Sequence, residues 1–359
     1  MQENLINLTK KLIGFRSTAD RSDELMRCFD FVEHYLRGAG VETRRFIFKN
    51  KPVLFVGSEM KPDLLFCGHL DVVDGSDSQF VAKIEAGKIF GRGSLDMKSG
   101  SAVIIEYIKN NFGINKKIGL MLTGDEEVGG FDGVGAMLKQ GYGAKKAVII
   151  PDGGKSPLNV VIKEKGIIWL KITAVGKPAH GSTPWQGSSA IKMLTKFLFE
   201  VEKFFKEPRT NSKNYWLNTF NVGKIYGGNA TNQVAELATA ECDIRFVEGE
   251  RPERIIDNIK KLCPKGISVE VMFNEPMVNS DPKNILLEKY CASVKNITGK
   301  KAELISEHGS SDARFFADQK IPIIISEPEG DNLHGKDEWV SIDSITSFYN
   351  IIADFVKNI

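Results

Sequence analysis

The residues best suited to chemistry in this chain are histidines and carboxylates that follow short apolar runs. Residues 65–67 lead into His69 and Asp71, and a glycine-bounded loop further on carries an isolated Asp96. Residues two apart in an extended segment point the same way, so Asp71 can hydrogen-bond one nitrogen of the His69 ring and leave the other nitrogen for a metal. For an isolated His-x-Asp motif, a surface pair at a strand end is the more common alternative.

Three later apolar runs end in residues of the same kind. They are residues 118–122 before Glu126 and Glu127, residues 147–150 before Asp152, and residues 321–325 before His334. Imidazole and carboxylate are zinc ligands, and a catalytic zinc keeps one position open for water. A bridging carboxylate brings two metals together, and Asp96 is the candidate. Of Glu126 and Glu127, one can ligate while the other acts as a base, the alternative being a solvated acidic turn.

The elements that must position these side chains form a recognisable pattern. Short apolar runs alternate with helical patterns such as those at residues 22–38 and 97–110, which predicts a doubly wound α/β fold with a mixed, largely parallel sheet. In such sheets, sites lie beyond the carboxyl ends of the strands. The candidate histidines and carboxylates all fall there, which is the strongest argument from the residues alone.

A central block of the chain differs in character from the rest. Its predicted strands are residues 167–174, 219–225, 235–246 and 267–273, and its predicted helices are residues 188–205 and 251–262. This β-α-β-β-α-β order predicts a small α+β sandwich, which we interpret as an inserted lid. The predicted domains are the first part of the catalytic domain at 1–164, a lid and dimerisation domain at 165–275, and the second part of the catalytic domain at 276–359.

Composition narrows the class of protein. The 359 residues are 42% apolar and 26% charged with a net charge of +2, which gives no reason to expect nucleic acid or a membrane as partner. Five cysteines without a C-x-x-C spacing, and no signal-peptide pattern in residues 1–13, predict a cytoplasmic protein. The glycine-rich segments at 91–93 and 227–228 lack the patterns of nucleotide-binding loops.

Five motifs carry a family resemblance that extends over essentially the whole chain. They are Gly68-His69-Leu70-Asp71, Gly91-Arg92-Gly93-Ser94-Leu95-Asp96-Met97-Lys98, Thr123-Gly124-Asp125-Glu126-Glu127-Val128-Gly129-Gly130, Ala179-His180-Gly181-Ser182 and the late His334. The chain resembles the co-catalytic zinc hydrolases that include acetylornithine deacetylase, succinyl-diaminopimelate desuccinylase, aminoacylase and glutamate carboxypeptidase. The resemblance implies a zinc-peptidase type of catalytic domain and two Zn²⁺ ions, with Co²⁺ or Mn²⁺ as substitutes.

Roles carry over by resemblance onto the matching residues. The first zinc would be held by His69 and Asp152, the second by Glu127 and His334, with Asp96 bridging the two. Asp71 would orient His69, Glu126 would be the general base, and the Asp96–Met97 peptide would be cis.

Further roles implied by the resemblance concern the lid and the substrate. His180 would donate to the oxyanion and reach the active site of the partner subunit in a homodimer formed through the lid, although an ordinary loop residue is the alternative. Asn232, Arg245, Ser311 and Arg314 match positions that lie near or hold the substrate in relatives. Arginine suits a carboxylate clamp, and an internal Arg–Asp pair, such as Arg314 with Asp312, is the alternative.

The expected function is dizinc-dependent hydrolysis of the amide bond of N-acyl amino acids, of the desuccinylase or deacetylase type in amino-acid metabolism. Many deacylases of the family carry Gly-Glu-Pro where this chain has Pro151-Asp152-Gly153. Aspartate at that position is more typical of aminopeptidase-like members, so a metallo-exopeptidase acting on short peptides is the first alternative. A catalytically silent metal-binding protein is the second, and the intact Glu126 speaks against it.

Overall fold

A computed structural model describes residues 1–205 and 216–359 of the protein. Within these residues the chain divides into two units. The first unit comprises Met1–Lys163, Asn279–Glu307 and Ser311–Ile359, and the second comprises Glu164–Val278 and His308–Ser310. Residues 206–215, which belong to the predicted lid range 165–275, lie outside the described residues.

The helices of the described residues are mostly amphipathic, as their sequences predict. They are α1 (Gln2–Ile13), α2 (Ser22–Arg37), α3 (Ser99–Asn111), α4 (Val134–Lys139), α5 (Ala190–Glu202), α6 (Pro252–Lys261), α7 (Ile285–Thr298) and α8 (Ile342–Lys357). In α2, Asp23 and Glu24 occupy the first turn and Arg37 the last, which complements the helix dipole. None of the helices in the described ranges is long and apolar enough to traverse a lipid bilayer.

The described strands are short in the first unit and longer in the second. They are β1 (Arg44–Phe48), β2 (Lys51–Val56), β3 (Leu64–His69), β4 (Lys83–Glu85), β5 (Lys88–Phe90), β6 (Ile118–Thr123), β7 (Ala147–Ile150), β8 (Asn159–Glu164), β9 (Gly166–Val175), β10 (Thr219–Gly227), β11 (Leu237–Phe246), β12 (Ile267–Glu275), β13 (Val278–Asn279), β14 (Glu303–Glu307), β15 (Ile323–Ile325), β16 (Gly330–Asp331) and β17 (Trp339–Ser341).

The first unit is built on a nine-stranded mixed sheet. Its order is β1-β2-β6-β3-β7-β15-β8-β13, with β14 paired to β8. The four central strands β6, β3, β7 and β15 are parallel, whereas β2 pairs with β6 and β8 pairs with β15 in the antiparallel sense. The prediction of an α/β fold with a mixed sheet is therefore confirmed.

Helix α3 packs deep in the core of the first unit. The sequence predicts a helix from residue 97 with Ile104, Ile105 and Ile108 on one side, yet every residue from Ser99 to Ile108 is buried. The helix starts later than predicted because Asp96 and Met97 have non-helical backbone angles. Each fully buried isoleucine contributes about 1.5–3 kcal/mol, so α3 is a rigid support for the loop that precedes it.

A small antiparallel sheet of the first unit has the strand order β16-β17-β5-β4. Register pairs Trp339 with Phe90 and Asp331 with Trp339. As a result, the loop that follows β5 and the connection between β16 and β17 emerge side by side. Strands of two or three residues have no readable periodicity, which is why the sequence did not predict this sheet.

The second unit contains a separate antiparallel sheet with the order β10-β11-β9-β12. Helices α5 and α6 cover one face, where Leu194 and Ile259 pack with Ile168, Leu170 and other apolar residues in a common core. The strands and helices follow one another as β-α-β-β-α-β. Whether this unit acts as a lid stays a prediction.

Candidate metal centre and active site

The candidate side chains of the first unit come from the carboxyl ends of adjacent parallel strands. Strand β3 ends at His69, β6 ends shortly before Glu126 and Glu127, and β7 ends shortly before Asp152. Because β6, β3 and β7 are neighbours and parallel, their ends meet at the same edge of the sheet.

The first group of candidate ligands is His69, Asp96 and Asp152. The Nε2 atom of His69 lies 3.1 Å from Asp96 Oδ1 and 3.9 Å from Asp152 Oδ2. One ligand atom from each residue lies within 4.8 Å of the others, as expected for donors around one ion. His69 and Asp96 are buried, and Asp152 is half-buried.

The second group shares Asp96 and adds Glu127 and His334. The Nε2 atom of His334 lies 2.9 Å from Asp96 Oδ2 and 3.6 Å from Glu127 Oε1. The two carboxylate oxygens of Asp96 therefore face different imidazoles. This is the arrangement that a bridging carboxylate requires.

The charges around this centre suit divalent cations. Burial opposes charge on His69, but hydrogen bonds with Asp71 and Asp96 outweigh it and raise the His69 pKa well above its ordinary value. Hydrogen bonds with Asp96 and Glu127 raise the pKa of His334 to about 10. The carboxylates thus favour positive charge beside both imidazoles. Bound metal cations would supply positive charge at the same place. The donor set of two imidazoles and three carboxylates therefore fits two metal ions.

Asp71 fixes the relative positions of two parts of the centre. Its carboxylate accepts hydrogen bonds from the N–H groups of Glu126 at 3.3 Å and Glu127 at 3.0 Å. The Nδ1 atom of His69 lies 2.9 Å from the Asp71 carbonyl oxygen and 3.5 Å from its carboxylate. The predicted neighbour of His69 is thus in place, with its main chain closer to the ring than its side chain.

Glu126 lies in the turn between these ligands. Burial, together with the nearby Asp152, raises its pKa well above the ordinary value even though His69 opposes the shift. A raised pKa lets a carboxyl group both accept and release a proton near neutral pH.

The Asp96–Met97 peptide is cis, as the resemblance implied.

The turn after Glu127 rests on residues that include two predicted substrate-binding positions. Arg314 is buried and donates from its guanidinium to the carbonyl oxygens of Ser311 at 2.6 Å and Gly129 at 2.7 Å. The Ser311 hydroxyl accepts from the N–H of Ala313. Both side chains are thus bonded to main chain near the centre, and a role in binding substrate stays a prediction for each.

Two buried aspartates lie beside this turn, and neither was assigned a role in the site from the sequence, although Asp312 was the alternative partner of Arg314. Asp125 accepts from the N–H groups of Asp132 and Gly133, and burial with the neighbouring charge of Asp312 raises its pKa to about 7. Asp312 accepts from the Thr123 hydroxyl. One feature of the sequence could have drawn attention to Asp125. The run Asp125-Glu126-Glu127 has three acidic residues, and the predicted metal ligand and general base account for only two of them.

The remaining predicted residues belong to the second unit. His180 and Asn232 lie on adjoining loops, since His180 forms a β-bridge with Gln233 and the Gly181 N–H donates to the Asn232 carbonyl. The two loops border a cleft of about 770 Å³. Arg245 pairs with Asp243 at 3.0 Å, an internal Arg–Asp pair of the kind that the sequence left open as the alternative, with Arg314 and Asp312 as its example.

Comparison with known proteins agrees with this geometry. The model of peptidase family M20/M25/M40 matches residues 65–358. The chain belongs to this family. The resemblance inferred from the motifs is thereby confirmed, and the protein is a hydrolase that acts on amide or peptide bonds.

Curated relatives span the whole chain at modest identity. A Rickettsia felis protein named succinyl-diaminopimelate desuccinylase is 26% identical over 386 residues, which cover 99% of each chain. An Ehrlichia chaffeensis protein of the same name is 27% identical over 375 residues, with 98% of this chain and 96% of that protein covered.

Solved structures share the fold of the M20 peptidases. The M20 family metallo-carboxypeptidase Sso-CP2 from Sulfolobus solfataricus superposes with a TM-score of 0.82 at 19% identity, covering 98% of both chains. The aminopeptidase PepT from Bacillus cereus has a TM-score of 0.80 at 21% identity, covering 99% of this chain and 98% of that chain. At these identities the likeness establishes the fold alone.

Proposed function

We propose that this protein is a dizinc hydrolase that removes the acyl group from an N-acyl amino acid, with an N-succinyl amino acid as the first substrate to test. The observation that carries the proposal is the position of Asp96 between His69 and His334, with the turn of Glu126 bonded to Asp71, which also contacts the His69 ring. The names of the full-length relatives support the acyl class.

The residues that would hold the ions are the two groups described above, with His69 and Asp152 on one side of Asp96 and Glu127 and His334 on the other. Zinc ions at such a centre supply Lewis acidity that activates water and polarises the scissile carbonyl. Asp71 contributes orientation, because it accepts from the main chain of Glu126 and Glu127 and contacts the His69 ring.

Glu126 is the proposed proton carrier. Its main chain is fixed by the hydrogen bond to Asp71, and its raised pKa suits a group that takes a proton from the attacking water and delivers it to the leaving nitrogen. A Glu126→Gln variant would keep the candidate ligands and lose the base. We expect it to bind metal like the wild type while kcat falls by about 10²–10⁴-fold.

His180 is the proposed donor to the oxyanion. Its Nδ1 atom lies 3.2 Å from the main-chain nitrogen of Ser182 and 2.7 Å from the Ser182 hydroxyl. A main-chain N–H can only donate, so Nδ1 accepts and the neutral ring carries its proton on Nε2. That leaves Nε2–H to donate, and such a donor contributes about 3–4 kcal/mol in comparable sites.

The experiment that tests the function is amine release from matched sets of N-succinyl amino acids, N-acetyl amino acids and dipeptides, each with added zinc and with chelator. The proposal expects turnover of acyl amino acids that chelator abolishes and zinc restores. Turnover that is insensitive to chelator would contradict the metal mechanism, and a metal-loaded protein that cleaves none of the acyl substrates would contradict the deacylase assignment.

A metallo-exopeptidase is the second candidate. Its support is Asp152, which occupies the ligand position of the first group where many deacylases of the family have glutamate. A preference for dipeptides over acyl amino acids in the same panel would establish this alternative. Both candidates share the metal centre and the role of Glu126.

The second part of the proposal is a homodimer with composite sites. Strand β10 lies at the edge of its sheet within the described residues, and Val222, Ile225 and Tyr226 on it are exposed. An exposed apolar edge strand favours pairing with another chain. In a homodimer, the same strand of two copies can pair about a two-fold axis. We propose that this pairing brings His180 to the active site of the other protomer.

Mixed dimers would distinguish a composite site from a self-contained one. Co-expression of differently tagged Glu126→Gln and His180→Ala chains, followed by sequential affinity steps, isolates a dimer with one chain of each kind. If His180 acts across the interface, one site is intact and the mixed dimer retains about half the wild-type turnover. If His180 acts within its own chain, both sites are damaged and the mixed dimer is as inactive as either parent.

A further inference from the structure

A buried carboxylate outside the candidate ligand set contacts the main chain of the metal loop. The side chain of Glu338 is 0% exposed. Its Oε1 accepts from the N–H groups of Leu95 at 2.9 Å and Asp96 at 3.1 Å, and its Oε2 accepts from the Gly93 N–H at 3.0 Å. The loop that presents the bridging Asp96 is therefore wrapped around one carboxylate.

Arg92 connects the same carboxylate to the second metal site. One guanidinium nitrogen donates to Glu338 Oε2 at 2.8 Å, and the other donates to the carbonyl oxygen of His334 at 2.9 Å. His334 has a left-handed backbone with φ of 59°. A histidine in this conformation is held by its surroundings, because the left-handed region is unfavourable for residues with a side chain. The hydrogen bond from Arg92 to the His334 carbonyl oxygen is one such restraint.

The small sheet explains why these groups meet. Strand β5 ends at Phe90, two residues before Arg92, and β17 starts at Trp339, directly after Glu338. Phe90 and Trp339 are paired, and the Gly91 N–H donates to the Glu338 carbonyl. The register thus places Arg92 and Glu338 next to each other at the end of the sheet nearest both ligands.

Stability alone is a weak reason for such an arrangement. A buried ion pair loses solvation on folding, and well-packed apolar residues often replace it without loss of stability. Its advantage is geometric specificity, because both oxygens of Glu338 and both terminal nitrogens of Arg92 are used in defined directions.

We propose that Glu338, acting through its hydrogen bonds and through Arg92, is a positioning residue that sets the distance between Asp96 and His334 and thereby assembles the second metal site. The inference rests on the proposed metal centre. It predicts that loss of Glu338 weakens the binding of the ion shared by Asp96, Glu127 and His334 more than the binding of the ion shared by His69, Asp96 and Asp152.

The test compares Glu338→Gln with the wild type by calorimetric titration of the metal-free protein with Zn²⁺ and by the visible spectrum of the Co²⁺ form. Glutamine keeps the size of the side chain but presents an NH₂ group to N–H donors that need an acceptor. We expect the affinity for one of two ions to fall by about 10–100-fold, as for other residues that orient metal ligands, and the Co²⁺ absorption to change.

Glu106→Gln is the matched control. Glu106 is also a buried glutamate in a hydrogen-bond network, with Tyr35, Asn110 and Asn4, but no candidate ligand is among those partners. We expect this variant to lose stability and to keep wild-type affinity for both ions. If Glu338→Gln behaves like Glu106→Gln, the positioning role is refuted.

Arg92→Lys keeps the test informative if Glu338→Gln fails to fold. Lysine keeps the charge but lacks the planar fork that reaches Glu338 and His334 together. Weaker binding of one ion supports the proposal, and unchanged binding of both overturns it. A wild-type protein that does not bind two ions would instead refute the metal centre itself, so the two failures are distinguishable.

Discussion

Gly130 offers a sharp test of how the turn that carries Glu126 and Glu127 is held. The residue has a φ of 66°, and a methyl group added to it would overlap with Asp312 Oδ1 and lie 2.7 Å from Phe315 Cε2. Asp312 is buried and cannot swing into solvent. A Gly130→Ala substitution therefore has to displace either the turn or Asp312.

The cost can be separated into two parts by a matched glycine. Gly87 has a similar φ of 75°, but a methyl group there meets nothing within 4 Å. Gly87→Ala should cost only the left-handed backbone penalty of about 1–2 kcal/mol. Gly130→Ala should cost that amount plus about 1–3 kcal/mol for overpacking against Asp312 and Phe315.

Urea denaturation of the two variants measures the difference in the free energy of unfolding, and steady-state kinetics measures the effect on the turn. We expect kcat of Gly130→Ala to fall by about 10–100-fold because Glu126 is displaced, whereas Gly87→Ala keeps wild-type kcat. Equal stability and equal kcat in the two variants would show that Asp312 does not restrain the turn.

Three other outcomes follow from described contacts. Arg314→Lys should lower kcat and stability with little change in KM, since the guanidinium bonds the Gly129 carbonyl; a rise in KM alone would instead identify Arg314 as a substrate ligand. Burial raises the pKa of Glu106, but hydrogen bonds from Tyr35 and other neighbours outweigh it and hold the pKa below its ordinary 4.5. The wild type should therefore be more stable than Glu106→Gln at neutral pH, and this difference should disappear as the pH falls from 4.5 through the lower pKa of the folded state. A difference that persists in acid would contradict this reasoning. Chelation should lower the melting temperature of the wild type and leave that of Asp96→Asn nearly unchanged, because ions stabilise only a fold that binds them.

The sequence predicted elements that are marked by an uninterrupted apolar run or by helical periodicity. Strand β7 was predicted with its observed bounds, and α2 differs by a single residue at its end. The start of α3 was predicted two residues early, because apolar periodicity continues through Met97 while the backbone of Asp96 and Met97 is not helical.

The sequence singled out the residues that meet in the two candidate ligand groups, because each follows an apolar run or lies in a family motif. Among the residues that support them, Asp71 was predicted but Glu338 was not. Glu338 lies in a polar stretch before a three-residue strand, and only the pairing of that strand with β5 brings it to the Asp96 loop. A contact across 242 residues of sequence leaves no local pattern.

The same pairing determines when the candidate metal centre can form during synthesis. The loop of Asp96 is bonded to Glu338, and the partner imidazole of the bridge is on His334, so the centre needs segments from both ends of the described chain. Ribosomes deliver the amino-terminal segment first, and contacts between distant segments wait for the later one. A nascent chain that has emerged with His69, Asp96, Glu127 and Asp152 but without residues 334–338 has an incomplete second group of candidate ligands. On the proposed assignment of the metal centre, the chain gains hydrolytic activity only after translation has passed Glu338.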